Sequence, residues 1–263
     1  MAGAERITWV GHATVALEIG GARLLTDPVL RARLAHLRRH GPRPRPEVAE
    51  RIDAALISHL HLDHLHLPSL RMLGRDVRVI VPRGAGPVLA RRGFSDVVEL
   101  AVGERVDVAG ATVTALRAVH DGRRHPFGGA VAEAIGFAVD GAQRVYFAGD
   151  TDIFDAMADL AGRIDVALLP VWGWGPTLGP GHMDPERAAR AAALLSPRIA
   201  VPIHWGTLYP TGLARLRPRP LREPGREFAA RAQVLAPRVD VHVLAPGSTL
   251  VLPRVRPSSA EAV

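Results

Sequence analysis

The sequence contains no cysteine and no lysine, and the missing thiols exclude several kinds of chemistry. The chain has no disulfide, no iron–sulfur cluster, no thiolate zinc site and no cysteine nucleophile. It also has no apolar run of the roughly 18 residues that cross a bilayer. Its first residues have neither a charged lead-in nor a long apolar stretch, so we predict a cytoplasmic protein without a secretory signal or a transmembrane segment.

The composition of the 263-residue chain is that of an ordinary globular protein, with 48% apolar and 22% charged residues. Disorder and coiled coil are therefore not expected. Length and the lack of a visible linker predict one domain over residues 1–256, followed by a frayed tail at 257–263. Aromatic residues make up only 5%, which is little for stacking on nucleic-acid bases.

All 33 basic residues are arginine, and the net charge is +7. Two segments together carry more positive charge than the chain as a whole, since residues 31–51 have a net charge of +5 and residues 213–231 have +4. Each segment is either a solvated stretch or an electropositive border of a site. If both border the site, an anionic substrate is favoured.

The order of apolar runs predicts an α/β fold of mixed sheets covered by helices. Strands are predicted in hairpins around Gly20-Gly21 and around Asp140-Gly141, the latter with a type I′ turn. Helices are predicted singly between strands. The clearest begins at Pro185 with Asp184 as its N-cap and ends at Leu195.

Three imidazoles and a carboxylate lie within six residues, in the order His-x-His-x-Asp-His. His59 and His61 are two residues apart, so an extended backbone directs both to one side. Asp63 and His64 follow where the chain turns. Such donors without thiolate suit zinc, iron or manganese. A histidine-rich loop without metal is the alternative, but packing these groups without a cation would leave polar atoms unpaired, so the pattern favours a metal site.

This motif resembles that of the metallo-β-lactamase superfamily, and the resemblance runs over roughly residues 5–252. Further stretches resemble the branch with ascorbate-phosphate lactonases and N-acyl-phosphatidylethanolamine-hydrolysing phospholipase D. These stretches are Trp9-Val-Gly-His-Ala-Thr, Leu25-Thr-Asp-Pro, Phe147-Ala-Gly-Asp-Thr, His182-Met-Asp-Pro-Glu and His204-Trp-Gly-Thr. The resemblance implies a four-layer αββα sandwich with one or two metal ions at one edge.

The resemblance also implies which side chains bind two divalent ions, for which we expect zinc, with manganese or iron as alternatives. The first ion would be held by His59, His61 and His120, the second by Asp63, His64 and His204, and Asp150 would bridge them. An aspartate in the bridging position, in a chain without cysteine, argues against antibiotic hydrolysis.

Several of these positions have a competing interpretation in the sequence itself. His120 ends a predicted strand, and His125 in the following loop is its rival. Asp150 could instead cap a helix predicted over residues 152–160. His182 resembles a residue that contacts substrate or protonates the leaving group, or is a plain loop histidine.

Four more residues near the predicted site have two interpretations each. Asp27 either accepts the free N–H of a ligand histidine or only forms a turn before Pro28. His12 either supports the site or is structural. Trp172 and Trp174 either line an apolar substrate pocket or pin their loop to the body of the protein.

The predicted chemistry is hydrolysis by a hydroxide that bridges two metal ions, with Asp63 and His182 as catalytic residues. The substrate is predicted to be a small or lipid-like ester, lactone or phosphodiester, and an anionic one if the arginines border the site. A metal-dependent nuclease and a non-catalytic metal-binding protein are the alternatives. The sequence does not predict an oligomeric state.

Overall fold

Two seven-stranded sheets face each other in the structure, a computed structural model that describes residues 4–125 and 128–253. The predicted frayed tail at 257–263 lies outside these residues. Along the chain the strands are β1 Arg6–Gly11, β2 Thr14–Ile19, β3 Ala22–Thr26, β4 Arg33–Leu34, β5 Leu37–Arg39, β6 Ala54–Leu56, β7 Arg78–Pro82, β8 Val97–Leu100, β9 Arg105–Val108, β10 Ala111–Arg117, β11 Arg123–His125, β12 Gly128–Val131, β13 Ile135–Asp140, β14 Arg144–Phe147, β15 Val166–Pro170, β16 Ile199–Ile203, β17 Leu208–Pro210, β18 Asp240–Val241 and β19 Ser248–Val251.

Five α-helices and three short 3₁₀ helices connect these strands within the described residues. The α-helices are α1 Leu67–Leu73, α2 Gly86–Ala90, α3 Pro185–Leu195, α4 Arg219–Arg222 and α5 Pro224–Leu235; the 3₁₀ helices are Pro46–Ala49, Asp155–Leu160 and Leu213–Arg215. None of the helices in residues 4–125 and 128–253 is both long and apolar enough to cross a membrane.

The first sheet has the strand order β19-β1-β2-β3-β6-β7-β8, and the second has the order β18-β16-β15-β14-β13-β10-β9. Strands β3, β6, β7 and β8 run parallel to one another, as do β14, β15, β16 and β18, and the other neighbours are antiparallel. Both sheets are therefore mixed, as the sequence predicted. A small sheet of β17, β5 and β4 and a hairpin of β11 and β12 complete the fold.

The alternation of side chains along the strands explains why helices cover the outer faces. In β6, Ala54 and Leu56 enter the core between the sheets, whereas Ala55 faces a second apolar cluster with Leu70 of α1 and Leu89 of α2. On the other side, α3 packs against α5 and against β15. The predicted four-layer αββα sandwich is confirmed.

Helix α3 begins as the sequence predicted. The Asp184 carboxylate accepts a hydrogen bond from the Arg187 amide at 2.8 Å, and Pro185 occupies the first turn, where its missing N–H has no helical partner to lose. The helix ends at Leu195, the predicted residue.

The predicted hairpin around Asp140-Gly141 is present, but its predicted type I′ turn is wrong. Asp140 pairs with Arg144 across a three-residue loop, and neither Asp140 nor Gly141 has the positive φ that a type I′ turn requires.

This loop is held instead by the carboxylate of Glu5, which accepts hydrogen bonds from the amides of Ala142 at 2.8 Å and Gln143 at 3.0 Å. The same carboxylate accepts the Gly20 amide at 2.9 Å from the β2–β3 hairpin. Glu5 therefore joins the hairpin loops of the two sheets at one end of the sandwich.

Candidate metal centre

The seven predicted ligands meet at the opposite end of the sandwich, where strands of both sheets finish. His59, His61, Asp63 and His64 follow β6 of the first sheet, while His120 follows β10, Asp150 follows β14 and His204 follows β16 of the second. We call these seven residues the histidine–aspartate cluster. Because these strands all finish at the same end of the sandwich, residues that are far apart in the chain meet there. His59 and His204, for example, are 145 positions apart.

His59, His61 and His120 form one half of the cluster. The Nδ1 atom of His61 lies 2.9 Å from Nε2 of His59 and 3.1 Å from Nε2 of His120. Burial lowers the pKa of His59 and His61 and lowers that of His120 to about 4, so all three rings are neutral near pH 7.

The outer nitrogens of these rings show which inner nitrogens carry lone pairs. His120 Nδ1 donates to the Gly181 carbonyl at 2.7 Å. His59 Nδ1 lies 3.0 Å from Ser58 Oγ, and since that hydroxyl donates to Asp27, the ring nitrogen is the donor in this pair. The inner Nε2 atoms of His59 and His120 are therefore both acceptors, and a single proton on His61 can serve only one of them. A cation would satisfy all three nitrogens.

His64, His204 and Asp63 form the other half. The Nε2 atoms of His64 and His204 lie 3.1 Å apart, and Asp63 Oδ2 lies 3.5 and 3.6 Å from them. His204 Nδ1 donates to the Trp172 carbonyl at 3.1 Å, so its inner nitrogen also presents a lone pair.

Asp150 lies between the two halves. Its Oδ2 is 3.1 Å from His64 Nε2, its Oδ1 is 3.3 Å from His204 Nε2, and it also groups with His59 and with His120 at ligand distance. The side chain is 2% exposed, and Oδ1 is buried without a hydrogen-bond partner in the described structure. A buried, unpaired carboxylate oxygen among imidazoles fits a site that binds cations. The predicted alternative, a helix cap, is wrong, because the next helix begins at Asp155 and receives no side-chain cap.

The electrostatics of the cluster favour positive charge at its centre. Burial alone would lower the pKa of His64, but the charges of Asp150, Asp63 and Asp27 outweigh burial and raise it well above its usual value. Burial opposes the ionisation of Asp63 and Asp150, yet the neighbouring histidines hold the pKa of both carboxyls well below the usual range. A divalent cation would provide the positive charge that the three carboxylates require.

Asp27 supports the cluster from beneath. Its Oδ2 accepts hydrogen bonds from His64 Nδ1 at 2.7 Å and from Ser58 Oγ at 2.6 Å, and its Oδ1 accepts the Ser58 amide at 2.8 Å. The carboxylate is fully buried and thereby fixes the orientation of the His64 ring. Of the two roles weighed from the sequence, the structure shows the contact with a ligand histidine, at a turn before Pro28.

His12 supports Asp63 in a similar way. Its Nε2 donates to Asp63 Oδ2 at 2.8 Å, and its ring lies 4.0 Å from that of His204, centroid to centroid. Burial, followed by the nearby His204, lowers the pKa of His12 to about 3, so the ring is neutral.

His182 lies at the rim of the cluster. Its Nε2 is 3.3 Å from Asp150 Oδ2, and its side chain is 21% exposed. Burial disfavours the charged ring, but the hydrogen bond and charge of Asp150 outweigh burial and raise the pKa of His182 to about 9. His125, the rival of His120, is exposed on β11 and does not join any ligand group of the described residues.

Gly149 allows the two sheets to approach each other at the cluster. It has φ of 63°, and a Cβ atom there would lie 2.6 Å from the Cβ of Ser58. A larger residue would push Asp150 away from the loop that carries His59 and His64.

A family profile described as Beta-lactamase superfamily domain matches residues 22–205, a range that contains the whole cluster. The chain belongs to the beta-lactamase superfamily. The predicted family is thus confirmed, over well more than half of the sequence.

Relatives of this superfamily member include named hydrolases. A UPF0173 metal-dependent hydrolase of Methanopyrus kandleri is 32% identical over 256 residues, covering 93% of this chain and 98% of the relative. The N-acyl-phosphatidylethanolamine-hydrolyzing phospholipase D 1 of Caenorhabditis elegans is 32% identical over 239 residues, covering 81% of this chain and 67% of the relative. The predicted class of metal-dependent hydrolase agrees with these names.

The chain spans 64% of the length of a Mycobacterium tuberculosis relative, an uncharacterized protein that is 32% identical over 243 residues covering 86% of this chain. Among solved structures, Igni18, a metallo hydrolase of Ignicoccus hospitalis, has a TM-score of 0.71 at 24% identity and covers 94% of this chain and 98% of its own. That likeness shows the shared fold.

The two tryptophans of the superfamily protein have different surroundings. Trp172 Nε1 donates to the Gly175 carbonyl at 3.0 Å, which pins the loop, and its side chain also lines a cavity of about 500 Å³. Trp174 is 37% exposed and does not line this cavity; its ring packs edge-on against His36 at 5.2 Å.

The two basic segments contain fewer free charges than the sequence indicates. In residues 31–51, Arg39 is buried and donates to the carbonyls of Val10 and Val29, so it is a structural residue and not part of a border. In residues 213–231, Arg219 forms ion pairs with Glu223 and Glu227, both at 2.5 Å.

Sequence reasoning missed two residues that hold the cluster in place. Ser58 links Asp27 to His59, and its position directly before the motif was the available indication. Arg124 reaches from the β11–β12 hairpin and donates from Nη1 to the carbonyls of Leu60 at 2.6 Å and Leu65 at 2.8 Å. Nothing in the sequence pattern indicates this contact.

Proposed function

We propose that this beta-lactamase superfamily protein is a dinuclear metal-dependent hydrolase. The observation that carries the proposal is the pair of histidine–aspartate groups at ligand distance, joined by the buried carboxylate of Asp150. One ion would be held by His59, His61 and His120, the other by Asp63, His64 and His204, and Asp150 would contact both.

Two divalent cations bound here would lower the pKa of a shared water and polarise the oxygen of the bond to be broken. The donor set consists of imidazole and carboxylate only, which suits zinc, manganese and iron, and we propose zinc.

Two side chains, those of Asp63 and His182, would carry the proton transfers of the proposed reaction. Asp63, whose orientation is fixed by His12, can orient the attacking water and accept its proton. His182 lies at the rim of the cluster, with Nε2 3.3 Å from Asp150 Oδ2, where it can donate a proton to the leaving group.

The proposed substrate is a small or lipid-like ester, lactone or phosphodiester. The phospholipase D name of the C. elegans relative supports a lipid-like substrate. The cavity beside Trp172 supports an apolar substrate portion, since Pro176, Leu216, Pro218 and Pro220 line it and His204 bonds to the Trp172 carbonyl next to it.

The test is metal content by elemental analysis, combined with hydrolysis of bis(p-nitrophenyl) phosphate and a lactone panel. We expect two equivalents of metal, turnover of at least one substrate class, and loss of turnover on chelation with recovery on adding metal back. Asp150→Asn, with Asp96→Asn as a matched surface control, should lose metal and turnover. Purified protein that binds no transition metal would refute the proposal.

A further inference from the structure

A second cavity, of about 550 Å³, lies on the outer side of the metal-binding motif. Leu62 lines it, while its neighbours His61 and Asp63 join the cluster on the inner side, so the same short loop separates the cavity from the metal centre. The other residues of the wall come from the start of α1, from α2 and its C-terminal end, and from the β11–β12 hairpin: Leu67, Val88, Arg91, Arg92, Arg124, His125, Gly129 and Ala130.

The charge of this wall is of one sign. The wall carries Arg91, Arg92 and Arg124, and no acidic side chain is among its described lining residues. None of the three arginines forms an ion pair with a carboxylate within residues 4–125 and 128–253. By contrast, Arg219, one of the two arginines that line the Trp172 cavity, is paired with two glutamates.

Several acidic groups near these residues in the chain are engaged elsewhere, including Asp96, which pairs with Arg78. Asp121, in the loop before β11, is paired with Arg123 at 2.7 Å. Glu99 accepts the amides of Gly84 and Gly86 at 2.8 and 2.7 Å. Asp63 faces the cluster and bonds to His12. The positive charge of the cavity is therefore left to a ligand or to solvent ions.

Arg124 connects the cavity to the metal-binding loop. Its Nη1 is committed to the carbonyls of Leu60 and Leu65, so the guanidinium is fixed in position.

We propose that this cavity is an anion-binding site that takes a phosphate-type group. Three guanidinium groups on one wall favour an oxyanion with several acceptor atoms, because arginine donates in parallel pairs to such groups. The volume lies within the roughly 300–1,000 Å³ typical of small-ligand sites, and Leu62 and Val88 leave room for an apolar part of the ligand.

The anion belongs either to the substrate or to a free phosphate. Assigning it to the substrate rests on the proposed hydrolase function, whereas the binding site itself does not. An anionic group bound here would lie across the loop from the metal centre and would position the rest of an elongated substrate at the cluster.

The test is calorimetric titration of inorganic phosphate into the metal-loaded protein at low ionic strength. The double variant Arg91→Gln/Arg92→Gln removes two charges outside the proposed catalytic machinery. Arg226→Gln/Arg231→Gln on α5 removes the same charge from another exposed surface and serves as the control. The metal centre is common to all three proteins, so differences in binding report the cavity.

We expect the wild type and the control to bind phosphate at this site at least tenfold more tightly than the Arg91/Arg92 variant. Equal phosphate binding by all three proteins would overturn the proposal. Turnover then distinguishes the sources: a KM raised at least tenfold for a phosphorylated ester, but not for its uncharged analogue, assigns the site to the substrate. Weakened phosphate binding assigns the site to free phosphate if both KM values are unchanged, or if the protein turns over neither compound.

Discussion

Replacing Asp27 by asparagine tests how the buried network controls the cluster. The carboxylate accepts three hydrogen bonds, two from Ser58 and one from His64 Nδ1. Asparagine keeps one acceptor but points its amide N–H groups at the remaining donors. His64 can relieve this clash only by moving its proton to Nε2, and that proton then occupies the position of the metal.

The expected loss of metal affinity follows from the hydrogen bonds that orient a metal-binding histidine. Removing a partner of this kind typically weakens metal binding about 10- to 100-fold, which corresponds to about 1.4–2.8 kcal/mol. The loss should be larger for the ion predicted at His64, whose ring contacts Asp27 directly, than for the ion predicted at His59, which Asp27 reaches only through Ser58.

Metal competition with a chromophoric chelator measures the affinity of each equivalent. Asp53→Asn is a matched control, because Asp53 accepts only the Arg23 amide at an exposed position of the same sheet. Circular dichroism of the metal-free proteins reports whether the fold is kept. If the Asp27→Asn protein binds both equivalents as tightly as the wild type, the argument from the His64 tautomer is wrong.

Four other predictions concern catalysis and stability. His182→Ala should keep both metals by elemental analysis but lose about 10²–10⁴ in kcat, and full activity would exclude it from the mechanism. Gly149→Ala should lower stability by about 1–3 kcal/mol in denaturant melts, and an unchanged midpoint would contradict the steric argument. Glu5→Ala should cost about 1–3 kcal/mol in denaturant melts by leaving the amides of Gly20, Ala142 and Gln143 without their acceptor, unlike the half-buried control Glu18→Ala. Chelation should lower Tm, and restored metal should restore it; a Tm indifferent to metal would argue against bound ions.

The fold was predictable from the sequence because its determinants are local. Apolar strands, the Asp184–Pro185 helix start and the glycine pair at residues 20–21 each specify one element, and the structure contains all of them. The turn after Asp140 was predicted wrongly because Glu5, distant in sequence, decides the conformation of that loop.

The residues of the candidate site were predictable from the sequence, but the contacts that hold these residues in place were not. His120, Asp150 and His204 lie at strand ends, a position that the sequence reveals, and the structure brings them together with the His59–His64 loop. The contacts of Arg124 depend on how a hairpin folds back over that loop, and no sequence pattern records this. The charges were misjudged for a similar reason, because pairing in three dimensions neutralises Arg219 and leaves Arg91 and Arg92 free.

The cluster draws its members from both layers, since the His59–His64 loop belongs to one sheet and His120, Asp150 and His204 to the other. Any ion held there would link the two sheets at this end of the sandwich, whereas Glu5 links them at the opposite end through hydrogen bonds to backbone amides. One link between the sheets is therefore permanent, and the other depends on whether metal is bound. We therefore expect a metal-free protein to open first at the end of the sandwich that carries the cluster.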